Sequence, residues 1–145
     1  MPTERQVIRL TSVTHFLTHF FELLLPSVTM FLYRDLKTSI PDLEIRTILE
    51  VGTMMYLLYG LLALVWGPIA DRFGAKLALG LGMIFAGVGY LIAGMATGIP
   101  QLWIAFTFVG IGIAAYHPAG IGLISKTIRE RGRALGINGV WGTLG

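Results

Sequence analysis

Residues 77–97 read LALGLGMIFAGVGYLIAGMAT, twenty-one residues without a charge or a proline. As an α-helix rising about 1.5 Å per residue, this stretch spans about 31 Å, the thickness of a bilayer's hydrocarbon core. Before it stands Asp71-Arg72-Phe73-Gly74-Ala75-Lys76, and after it the uncharged turn Gly98-Ile99-Pro100. Further apolar runs lie outward of these flanks, at about 7–33, 47–70 and 101–125. A last one begins near 134 and reaches the chain's end at 145. The pattern predicts an all-α membrane protein with four transmembrane helices and the start of a fifth.

Composition agrees. Hydrophobic residues make up 54% of the 145 and charged residues 13%, against about 25% charged in ordinary soluble domains. Mean hydropathy is +0.73. Disorder is excluded, since it needs low hydrophobicity and high charge. There is no cysteine, which excludes disulfides, thiolate metal sites and thiol nucleophiles. The net charge of +3 does not point to nucleic acid, because the basic residues cluster at the ends of apolar runs. Nineteen glycines suit closely packed membrane helices. Arg5 and Arg9 ahead of an apolar stretch resemble a signal peptide, but that stretch is too long and contains His and Glu.

Loop charges set an orientation. Arg5, Arg9, Arg72, Lys76, Lys126, Arg129, Arg131 and Arg133 fall on one side, and Arg34, Lys37 and Arg46 on the other. The positive-inside rule places the first set, and the N-terminus, in the cytoplasm of a multi-pass protein of the cell membrane. From Ala134 to Gly145 a helix reaches only about 18 Å, short of a bilayer. The sequence therefore predicts a truncated fifth span; the alternative is a short interfacial helix.

Ionisable groups inside spans are costly and point to function. At about 100° per residue, Thr11, His15, Thr18, Glu22, Pro26 and Thr29 fall within roughly 80° of one another, with His19 beside them. Glu22 is deep, and the expectation is a polar stripe facing a cavity. His15 and His19 have metal-ligand spacing at i, i+4, but no zinc-protease pattern surrounds them. No resident metal and no cofactor are assigned. Glu50 sits near the outer end of its span, while Tyr56 and Tyr59 lie deeper, lining a cavity or packing. The third span carries no ionisable group and reads as structural. Gly110-Ile-Gly112-Ile-Ala-Ala115 has glycine spacing like a nucleotide loop, but no strand precedes it. Tyr116 and His117 precede Pro118, which predicts a kink or hinge.

The connection after the second span carries a resemblance. Gly67-Pro-Ile-Ala-Asp71-Arg72-Phe-Gly74-Ala-Lys76 resembles the major facilitator superfamily's loop G-x-x-x-D-R-x-G-R-K, with Ala75 in place of a basic residue. Arg131-Gly-Arg133-Ala-Leu-Gly136 resembles that family's entry into its fifth span. Tyr116-His117-Pro118-Ala119-Gly120 is similar to the fourth span of fosmidomycin-resistance-like exporters. The R-x-x-Q-G element of many drug–proton antiporters is missing, with Phe106 and Val109 at its positions before Gly110.

The resemblance implies the N-terminal part of a six-helix bundle, with a second bundle completing the transporter and inverted three-helix repeats in each. It implies that the first and fourth spans line the cavity. The loop residues Gly67, Asp71, Arg72, Gly74 and Lys76 would act in gating, with Arg129, Arg131 or Arg133 pairing with Asp71. The functional expectation is a secondary active transporter. It moves a small molecule or ion by alternating access, coupled to protons, with His15, His19, Glu22, Tyr56, Tyr59, Tyr116 and His117 along the substrate and proton pathway and protonation of Glu22 or a histidine as the coupling step. The alternatives are a metal or metal-chelate carrier using His15, His19 and Glu22, and a non-transporting scaffold or sensor. No nucleophile–base pair or cofactor motif suggests an enzyme. The expected partners are the lipid bilayer, the substrate and the missing C-terminal half of the transporter.

Overall fold

The computed structural model describes residues 3–145. Its helices are α1 (Glu4–Ser39), α2 (Ile45–Phe73), α3 (Ala75–Gly94), α4 (Ile99–Ile113), α5 (Gly122–Thr127) and α6 (Arg131–Leu144), with a π-helical turn at His117–Ile121 between α4 and α5. Four helical stretches are long and apolar enough to cross a membrane: α1, α2, α3, and Ile99–Thr127, which joins α4, the π turn and α5. No strand occurs among the described residues.

The ends follow from local chemistry. Thr3 Oγ1 accepts from the Gln6 N–H at 3.3 Å, and Gln6 Oε1 accepts from the Thr3 N–H at 2.9 Å, a reciprocal cap on α1. Helix α1 runs to Ser39, so Arg34 and Lys37, read above as loop charges, are helical. A helix need not end where the apolar layer does. Lys37 Nζ donates to the Leu43 carbonyl at 2.9 Å and closes the turn into α2. Helices α2 and α3 are separated by Gly74 alone, at φ 97°. That left-handed backbone strains any residue with a Cβ, so the second glycine of the loop motif is required by the turn itself.

In lipid, helices gain little from hydrophobic burial against one another and rely on close packing. Helix α3 lies along α4, which also packs on α2, while α1 packs on α6. A Cβ added to Gly82 of α3 would stand 2.7 Å from both the Gly112 carbonyl oxygen and the Ala115 Cβ. Gly110 rests equally closely on the backbone of Met55. The Gly110–Ala115 pattern is therefore helix packing, as its place in an apolar run suggests. The Trp66 indole N–H donates to the Ile111 carbonyl at 2.8 Å, tying α2 to α4. Outward surfaces are apolar, with Leu64 78% and Phe31 72% exposed, as a lipid-facing surface requires.

Candidate functional site

The polar stripe of α1 divides in two. Thr11, Thr18 and Thr29 are buried, and each hydroxyl donates to the carbonyl four residues back, at 2.9, 2.8 and 2.7 Å. Their hydroxyls are satisfied within their own helix, and of the three only Thr29, with Pro26, borders a cavity, a small groove against α2 that contains none of the histidines. Pro26 is exposed. It lacks the N–H that would bond the Glu22 carbonyl. The Tyr56 hydroxyl donates to that carbonyl instead, at 3.2 Å. Tyr56 thus supports the helix at the level of Glu22.

The titratable members of the stripe converge. Glu22 is central in α1, which runs from Glu4 to Ser39. His15 Nδ1–H donates to the Asn138 carbonyl of α6 at 2.9 Å. His15 Nε2 faces His19 Nε2 at 3.1 Å, and His19 Nδ1 faces Glu22 Oε2 at 2.7 Å. The His15 ring stacks on Tyr116 at a centroid distance of 4.4 Å. His117 stands edge-on, 5.5 Å from His15 and 5.8 Å from His19, with Tyr59 at 6.0 Å behind it. His15, His19, His117, Tyr59 and Tyr116 are therefore brought together, with Glu22 at one end of the line.

This line has a definite proton count. A carbonyl only accepts, so the first bond fixes a proton on His15 Nδ1. One more proton is needed between the two Nε2 atoms, and a third between His19 and Glu22. Two neutral imidazoles and a carboxylate carry only two. All three contacts can be hydrogen bonds only with one extra proton on the line, a state in which His15, His19 and Glu22 together are electrically neutral. Without it, one of the two remaining bonds becomes a contact between lone pairs.

Two residues of α6 complete the site, and the sequence did not single them out. Asn138 is 2% exposed; its Oδ1 accepts from the Tyr116 hydroxyl at 2.7 Å, while its Nδ2 has no partner among the described residues. Gly142 lies directly beneath the His15 ring, where a Cβ would overlap it. Helix α6 approaches α1 this closely because Gly142 presents no side chain. The signal was an Asn in an apolar run followed four residues later by a Gly.

Pro118 opens the wide turn His117–Ile121 rather than a simple kink. At the end of the bundle carrying the loop motif, Asp71 pairs with Lys126. This corrects the expectation of Arg129, Arg131 or Arg133. The Arg129 backbone N–H donates to Glu4 Oε1 at 3.1 Å, and Arg133 lies 3.6 Å from Glu130. Arg131 has no ion pair among the described residues. Lys126 comes off the last turn of α5, ahead of the three arginines in the chain, and so reaches the end of α2 first. Arg72 lies over the Phe73 ring at 5.2 Å, and Lys76 is exposed. Gly67 packs near Pro118. An apolar groove of about 410 Å³ lined by Leu24, Phe31 and Tyr90 contains none of the histidines.

Four membrane-length helices, lipid-facing flanks and a shielded line of titratable groups define a multi-pass helical membrane protein. The sequence pattern of the Major Facilitator Superfamily matches residues 11–145, and the chain belongs to that family. It is 35% identical over 117 residues to the probable L-galactonate transporter of Escherichia coli (strain K12), covering 74% of this chain and 26% of that protein. It is 38% identical over 74 residues to multidrug resistance protein MdtH of Yersinia enterocolitica, covering 50% of this chain and 18% of that protein. MdtH of Yersinia pestis (strain Pestoides F) gives the same figures. The chain thus spans about a quarter or less of the length of these relatives. No solved structure matches it.

Proposed function

We propose that this chain is the N-terminal part of a secondary active transporter that moves a small solute by alternating access, coupled to protons. The observation that carries this reading is the unbroken line from the Asn138 carbonyl through His15 and His19 to Glu22. It joins α1 to α6 beside the wide turn of the fourth span. Loss of its extra proton costs one bond of the line, so protonation biases how α1 and α6 sit against each other. A proton gradient does work on a conformation in this way.

The eight basic residues on one side support a cytoplasmic N-terminus in the cell membrane. The small share of each relative that the chain covers supports a further bundle beyond Gly145. The Tyr116–Gly120 run supports a position near the fosmidomycin-resistance-like branch. At the opposite end of the mechanism, the Asp71–Lys126 pair serves as a gate contact that forms in one access state and breaks in the other. Because the L-galactonate transporter covers the larger share of this chain, a small hydroxy acid such as L-galactonate is the first substrate to test.

The test is uptake of labelled L-galactonate into vesicles containing the transporter that carries this segment, with and without an imposed pH gradient. Glu22→Gln abolishes the dependence on the gradient. A Glu22→Gln protein that keeps the full pH profile removes proton coupling by this route.

A further inference from the structure

The Nε2 atoms of His15 and His19 point at each other across 3.1 Å. On the far side of each ring, Nδ1 is held by an oxygen acceptor: the Asn138 carbonyl at 2.9 Å for His15 and the Glu22 carboxylate at 2.7 Å for His19. In metal sites, a ligating imidazole characteristically donates its other N–H to a carbonyl or carboxylate, which fixes the tautomer and ring orientation. Here two rings show that arrangement at once, with their free nitrogens converging.

A third imidazole is within reach. One ligand nitrogen from each of His15, His19 and His117 can be chosen so that all lie within 4.8 Å of one another. A tetrahedral ion with bonds of about 2.0–2.1 Å separates its ligand nitrogens by about 3.3 Å. The His15–His19 pair is within a few tenths of an ångström of that spacing. With ligand nitrogens up to 4.8 Å apart, the set must draw in by no more than about 1.5 Å to reach that spacing. The His15 ring is kept from turning by Tyr116 stacked on one side and Gly142 beneath. Between Leu10 and Tyr33 of α1, and in the apolar stretches of the other three spans and of α6, no lysine or arginine stands to repel a cation.

We propose that His15, His19 and His117 form a binding site for a divalent transition ion of borderline softness, of the Zn²⁺ or Co²⁺ class. His15 and His19 bind through Nε2, and Glu22 orients His19 from outside the coordination sphere. Imidazole nitrogens select such ions over Mg²⁺ and Ca²⁺. The fourth position is open to water or to a carboxylate or hydroxyl of a solute. The ion occupies the place of the proton between the two Nε2 atoms. Where a proton bridges the two Nε2 atoms before binding, each Nδ1 keeps its own afterwards and the bridging proton leaves for solvent. Ion and extra proton therefore exclude each other. The site rests on the placement of the imidazoles, and its only link to the transport reading is that a bound ion would interrupt the proton line.

The test is a Co²⁺ titration of this chain, free of any histidine tag, in lipid nanodiscs, read by visible ligand-field absorption. The expected result is one saturable site whose signal Zn²⁺ abolishes and Mg²⁺ does not. Glu22→Gln weakens binding about 10–100-fold, as loss of an outer-shell partner does. His117→Gln weakens it by at least about tenfold and shifts the absorption bands. The wild-type titration and Zn²⁺ displacement need no variant, so a variant that fails to fold does not spoil the test. No saturable Co²⁺ signal in the folded wild type overturns the proposal, and so does an unchanged affinity and spectrum in folded His117→Gln. Neither result bears on proton coupling, which the vesicle assay of Glu22→Gln decides separately.

Discussion

The contact between α3 and α4 makes a sharp prediction at Gly112. A Cβ there would press closest on the Gly82 carbonyl oxygen and lie 2.5 Å from the Ala86 backbone N and 3.0 Å from the Ala86 Cβ. Ordinary contact begins near 3.4 Å, so the helices must part by roughly 0.9 Å to admit it, and a gap of that size forfeits about a quarter to a half of each contact's dispersion energy. None of the three opposing atoms belongs to a flexible side chain that could swing aside. Overpacking of this kind costs about 1–3 kcal/mol. Replacing glycine by alanine inside a helix returns up to about 1 kcal/mol, so Gly112→Ala alone is ambiguous. Gly87 of α3 supplies the control, because a Cβ there meets nothing within 4 Å. Both substitutions share the gain in helix propensity, and their difference isolates the packing term. Equilibrium unfolding in mixed micelles, followed by helical circular dichroism, should place Gly112→Ala about 1–3 kcal/mol below Gly87→Ala. Equal stabilities would refute the claim that these helices are held by glycine-mediated contact.

Three further outcomes follow from the same geometry. Asn138→Leu leaves the fully buried Tyr116 hydroxyl without its acceptor and should cost about 1–3 kcal/mol; adding Tyr116→Phe should recover part of the loss, and strictly additive unfolding energies would contradict the pairing. Tyr56→Phe removes the donor to the carbonyl that Pro26 frees at Glu22. It should lower unfolding free energy by about 0.5–1.5 kcal/mol, whereas a Pro26→Ala background, in which the helix supplies its own N–H, should erase that effect. Asp71→Asn should change stability by no more than about 0.5 kcal/mol, since both partners are largely exposed, yet slow solute turnover in vesicles more than it weakens solute binding; unchanged turnover would refute the gating role.

Spans are legible because a bilayer tolerates few charges, so the runs around residues 77–97 and their charged flanks are nearly self-identifying. His15, His19, Glu22 and His117 were legible for the same reason: titratable groups inside apolar runs stand out. Their mutual arrangement was not. Helical periodicity places Thr11 and Thr18 on the same face as Glu22, but it cannot tell a hydroxyl bonded to its own helix from one facing a cavity. Asn138 and Gly142 escaped notice because their significance depends on which helix they meet, and α1 meets α6 across more than a hundred residues of chain. The Asp71 partner was misassigned because loop arginines outnumber lysines there, while reach decides the pair. One signal was present and unread. Pro26 stands four residues after Glu22 and so announces a freed carbonyl at the acidic residue itself.

The wide turn at His117–Ile121 carries a consequence for how this chain tolerates change in length. A π-helical turn accommodates one residue more than an α-helical turn. Every side chain beyond it is therefore rotated about 100° from where an uninterrupted helix would put it. Deleting a single residue between 117 and 121 would regularise the helix and improve its local hydrogen bonding. It would also swing Lys126 away from Asp71 while leaving Tyr116 stacked on His15. The extra residue thus acts as a phase setting between the buried histidines and the surface ion pair.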